Sequence, residues 1–131
     1  MIAAAPAAPA PTDVVVVLST LPADERGPAL ARALVDERLA ACVNLVPGLR
    51  SIYRWQGAVH DDGETLAIIK TTRGRLPALL ARLPDLHPYD LPEALALPVL
   101  AGHLPYLAWV AAETDPLSAA PPTAAIDGAT S

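Results

Sequence analysis

Between Cys42 and Thr72 the chain is β-forming almost without a break, and a helical pattern of leucine and alanine stands on either side of it. That order restricts the fold more than any other feature. A long β-rich stretch has to double back as a hairpin, and each flanking helix then serves as the crossover to a further strand of the same sheet. Cys42–Val46 reads as a strand that resumes after Pro47-Gly48 as LRSIYRWQGAV. Proline removes a ladder donor and glycine permits unusual φ, so a bulge or sharp bend is predicted at this pair. The polar run His60-Asp61-Asp62-Gly63 predicts the hairpin turn. Glu64–Thr72 (ETLAIIKTT) is the returning strand.

The remaining elements fall around this hairpin. Asp13–Thr20 (DVVVVLST) is a β-branched run without strict alternation, as expected of a central strand or one covered on both faces. Leu21 to Gly27 reads as a loop or first helical turn, and Pro28 suits the first turn of a helix, where its missing N–H costs nothing. In ALARALVDERLAA, Leu30 with Leu34 and Ala31 with Val35 form one apolar stripe, leaving Arg32, Asp36 and Glu37 outside. Leu76–Leu83 is a second helix with Leu76, Leu79, Leu80 and Leu83 on one face, and Pro84 is expected to end it. After a proline-rich loop over Leu86–Pro92, Ala94–Leu100 is a last strand. It carries Pro98, which predicts an edge or bulged position. Pro105–Glu113 closes the chain as a short helix. The order β-α-β-β-α-β-α predicts an α/β (α+β) protein of ferredoxin-like split β-α-β design, with both crossover helices on one sheet face. Ile52, Leu66 and the Val14–Val17 run leave the other face apolar. With no further helix to cover it, another subunit is the expected cover.

Charge sets the domain limits. Of 131 residues, none from 1 to 12 is charged, and few are after Asp115. Residues 1–12 (Ala/Pro) and 115–131 are therefore read as disordered tails around one domain, 13–114. Net charge is −5, and the one lysine and eight arginines are scattered, so nucleic acid is not an expected partner. No apolar stretch is long enough to span a membrane, and MIAAAPAAPAPT lacks the basic start of a signal peptide. The expected compartment is the cytoplasm. A single cysteine, Cys42, excludes an internal disulfide framework.

Four blocks carry a family likeness: ERLAACVNLVPGLRSIYRWQG (37–57), IIKTT (68–72), LHPYDLPEALALPV (86–99) and PYLAWV (105–110). In this order and spacing they resemble the CutA family of divalent-cation tolerance proteins, over nearly all of 13–114. The resemblance implies a ferredoxin-like protomer in a tight homotrimer similar in architecture to the nitrogen-regulatory PII proteins. It implies that the hairpin of about 50–70 reaches onto neighbouring subunits, and it links the chain to tolerance of divalent metals, notably copper. Some family members have a cysteine in a V-V-L-C-T pattern where this chain has VVLST. Ser19 stands there, and a hydroxyl is a poor copper ligand.

Among individual residues, His87 leads. Pro88 fixes the backbone after it, and a neutral imidazole is a good ligand for copper, zinc or nickel. The alternative is a histidine satisfied by a backbone partner at the helix end. Glu93, six residues on, is a second candidate ligand, or an orienting partner for the imidazole, or else a salt-bridge or strand-end group. Cys42 is a soft candidate for Cu(I), or a small buried hydrophobe. Asp90 is expected to be solvated, and His60 and His103 to be turn residues. Tyr53 with Trp55, and Tyr106 with Trp109, share faces by spacing and are expected to pack in the core or between protomers. Arg54 and Lys70 are candidates to attract an anion, or Lys70 to pair with Glu64 or Glu37. There is no GxSxG, P-loop, HExxH or CxxC, so no enzyme is expected. Two readings remain: a homotrimer binding divalent metal such as copper through His87, Glu93 and Cys42, or a PII-like signalling or scaffold module taking a small anion or nucleotide between subunits.

Overall fold

A computed structural model describes residues 12–117. The tails read at 1–12 and 115–131 fall almost wholly outside that range. The elements are β1 (Val14–Pro22), α1 (Arg26–Asp36), β2 (Cys42–Trp55), β3 (Ala58–Thr72), α2 (Leu76–Leu86), β4 (Leu95–Pro98) and α3 (Leu104–Glu113). The strands form one antiparallel sheet in the order β2-β3-β1-β4. This is the ferredoxin-like arrangement expected from the sequence.

Strand alternation divides the side chains between two faces. Odd positions of β1 face α1 and α2. Val17 and Leu21 join Ala67 and Ile69 of β3 in a core closed by Leu30 and Leu34 of α1 and Leu79 and Leu83 of α2. Helix α1 stops at Asp36, short of Ala41. Arg38 adopts φ 58°, and its N–H bonds to Val35 O while Leu39 N–H bonds to Leu34 O at 2.9 Å. These paired bonds are the hallmark of a left-handed helix stop. The even positions, Val16 and Leu18 with Leu66, Ile68 and Lys70 of β3 and Leu95 and Leu97 of β4, face the other way. There α3 covers one end alone, Val110 packing on Val14 and Ala41.

Three sequence expectations need correction. The hairpin turn is Gln56-Gly57, not His60–Gly63: Trp55 pairs with Ala58, and both turn residues have positive φ (50° and 80°). A two-residue turn of this hand matches the twist of the strands, and the polar run 60–63 lies inside β3, where neither face is sealed. Pro84 does not end α2, which continues to Leu86. Proline's φ is itself helical, and the bond it withholds belongs to the carbonyl of Leu80, a residue on the exposed side of the helix. Finally, β4 is only four residues long, although it is the edge strand that Pro98 predicted. The predicted bulge is present: the β2–β3 register shifts between Val46 and Leu49, with Gly48 at φ 83°.

Candidate functional site

His87 caps the C-terminus of α2 with an extended backbone (φ −84°, ψ 136°), the conformation its following proline imposes. This turns the ring inward beneath the end of β1. The residue is 6% exposed. Nδ1 accepts the Tyr89 backbone N–H at 3.1 Å, so the proton of the neutral ring sits on Nε2. Nε2 lies 3.0 Å from Thr20 O and 3.3 Å from Ser19 Oγ. With Nε2 donating to the Thr20 carbonyl, it has no lone pair with which to take the Ser19 proton. The buried Ser19–His87 contact is therefore not a nucleophile and its base. Burial holds the His87 pKa below its ordinary value; the Thr20 carbonyl and the Glu64 carboxylate partly oppose that.

Tyr89 extends the cluster. Its ring centroid is 4.9 Å from that of His87, and its hydroxyl donates to Glu64 Oε2 at 2.7 Å. Burial and the neighbouring carboxylate push the phenol pKa well up. Glu64, which pairs with Pro22 across β1, is 7% exposed. Ser19, Tyr89 and Glu64 were not singled out as partners of His87 by sequence. A usable signal existed for Glu64, an acid in phase with Leu66 and Ile68 on a strand that needs an apolar face.

The other expected ligands stand apart from this cluster. Cys42 begins β2 on the open face opposite Lys70, half-buried, its Sγ 3.7 Å from Asn44 Oδ1. His87 instead contacts Ser19, on the helix-covered face and nearer the other end of the sheet. Glu93 is exposed just before β4, as is Asp90 in the preceding loop. Among the described residues, no group of three or more His, Cys, Asp or Glu side chains is placed to hold a metal ion. His60 lies within β3 rather than in a turn, stacked on Tyr53 at 5.3 Å, and His103 caps the N-terminus of α3. Tyr106 and Trp109 are adjacent at 5.5 Å, with Lys70 Nζ 5.7 Å from the Tyr106 ring centroid. Lys70 pairs with neither expected acid: Glu37 is bonded to Arg82 at 2.8 Å, and Glu64 to Tyr89.

The sheet order and the helix layer on one side make this a ferredoxin-like α+β protein. The family profile described as "CutA1 divalent ion tolerance protein" matches residues 15–113. The divalent-cation tolerance protein CutA of Thermus thermophilus is 54% identical over 99 residues, 76% of this chain and 96% of that one. Protein CutA of Homo sapiens is 44% identical over 108 residues, 82% of this chain and 60% of the human protein. Of solved structures, CutA from Xylella fastidiosa matches with TM-score 0.77 and 44% identity, over 79% of this chain and 100% of that one. The solved structure of the Thermus thermophilus protein gives 0.75 and 52%, over 78% and 99%. The chain belongs to the CutA1 divalent ion tolerance family.

Proposed function

We propose that the chain is a self-assembling, non-enzymatic divalent-cation tolerance protein of the cytoplasm: a homotrimer that takes up ions such as Cu(II) at sites completed between copies. The observation that carries this reading is the contrast between the sheet's open face and the scatter of its candidate ligands. Apolar positions of β1 and β3 are only partly covered and those of β4 lie bare, and a second copy is the natural cover. One protomer does not gather three ligands among the described residues, so a site of useful affinity needs donors from more than one chain. Cys42 on the open face and Glu93 on the exposed surface are available for that. His87 joins them by exchanging its Thr20 carbonyl for the ion, a cost that keeps the affinity modest. Ser19 adds a hydroxyl where a thiol would bind copper more tightly.

Calorimetric titration of Cu(II) into the wild type and into His87→Ala, Glu93→Ala and Cys42→Ser tests this. Loss of stoichiometry or affinity is expected for each residue that ligates. Unchanged binding in all three, or none in the wild type, overturns the proposed site. A thermal shift with nucleotides and none with metals would instead make the chain an anion-binding module.

A further inference from the structure

Among the described residues, two opposite charges on the open face have no ionic counterpart within the protomer. Glu64 is almost sealed from solvent, yet the hydroxyl of Tyr89 is its hydrogen-bond donor and no ion pair among the described residues reaches it. A carboxylate taken out of water without a cation is expensive. Lys70 is half-buried, with its ammonium over the Tyr106 ring and no carboxylate paired to it among the described residues.

Both residues are on β3 in the same phase as Leu66 and Ile68, so they bracket one apolar band on one face. Six residues of strand separate them by about 20 Å, beyond the reach of a lysine side chain. Of the other basic groups, Arg73 and Arg75 donate to the Thr12 and Arg38 carbonyls, and Arg32 is exposed on α1, across the sheet from Glu64. Arg26, Arg38, Arg50 and Arg82 have carboxylate partners. Arg54 pairs with Val59, an odd position of β3 and therefore on the opposite face from Glu64.

We infer that Glu64 and Lys70 form an ion pair between copies of this chain, the Lys70 ammonium of one copy closing on the Glu64 carboxylate of the next. The inference rests on the reading above that copies cover the open face, and it adds what fixes their register. A partner laid head-to-tail along the apolar band brings its lysine end to the glutamate end of its neighbour. The cluster of His87, Tyr89 and Glu64 is then complete only in the assembly.

The test is a dilution series followed by light scattering on the wild type, Glu64→Lys, Lys70→Glu and the double reversal, with circular dichroism to verify folding. Each single reversal is expected to raise the midpoint dissociation concentration by at least about tenfold, and the double reversal to return it to within about threefold of the wild type. A wild type that stays a single copy at micromolar concentration overturns the assembly reading itself. An assembled wild type with reversals that dissociate no more readily overturns the ion pair alone, as does a folded double variant no tighter than the weaker single one. Should a reversal fail to fold, Glu64→Gln and Lys70→Met remove the pair without adding repulsion, and assembly unchanged in both overturns it.

Discussion

On the helix side of the sheet, Val17, Ala67 and Ile69 are sealed beneath Leu34, Leu79 and Leu83. On the other side Val16, Leu18, Leu66 and Ile68 are only partly covered, and Leu95 and Leu97 stand open at the edge. The residue types hardly differ. What differs is supply: α1 and α2 are tethered to the strands as crossovers and must pack on one side, whereas α3 is ten residues long and covers one end of the opposite side. An apolar strand pattern therefore states that a face will be buried without stating by what.

The largest effect that separates the faces is truncation. Leu79→Ala empties a fully buried position and is expected to cost about 2–5 kcal/mol in denaturant unfolding, at any protein concentration. Leu97→Ala, 47% exposed in the protomer, is expected to cost a lone copy well under about 1 kcal/mol, with a loss that grows as concentration rises. Equal, concentration-independent losses would show that the open face is not covered by another copy.

A smaller effect concerns acid. The folded-state pKa of His87 lies below its ordinary value near 6.5, chiefly because of burial. Between those two values the unfolded chain binds more protons than the folded one, so stability is full above about pH 6.5 and falls as pH drops through that window. The geometry agrees, since a proton on Nδ1 would oppose the Tyr89 N–H. Denaturant midpoints at about pH 7.5 and about pH 5.5 should diverge in the wild type and less so in His87→Gln. An equal divergence would place the titrating group elsewhere.

The smallest effect lies on the covered face. Thr71 is fully buried, and its hydroxyl has no hydrogen-bond partner among the described residues. Thr71→Val keeps the shape and removes an unsatisfied polar atom, so a gain of about 1 kcal/mol is expected in thermal unfolding. A loss would reveal a partner for that hydroxyl in solution.

Much of the fold was legible because periodicity reports faces directly. The two leucine stripes, the bulge at Pro47-Gly48 and the edge position of β4 all follow from local chemistry. The hairpin turn was not legible: Gln56-Gly57 is short and flanked by strand formers, while His60–Gly63 has the composition of a turn without its conformation. Pro84 misled because its geometric cost depends on whether the carbonyl it strands can meet water. Of the site, His87 was visible as the residue between a helix end and a proline. Its partners were not, because Ser19 and Glu64 reach the cluster from strands distant in sequence, and no local spacing encodes that meeting.

The bulge between Val46 and Leu49 also works as a phase shifter. Before it, even-numbered residues of β2 look toward the open side; beyond it, the odd ones do, so Tyr53 and Trp55 rather than Ile52 and Arg54 share the side of His60 and Glu64. Excising Gly48 would leave every one of these pairs in place, Val46 still opposite Leu66 and Leu49 still opposite Glu64, and would remove the bend and extra twist that aim the distal arm, so a single spacer residue sets the direction in which the arm leaves the sheet.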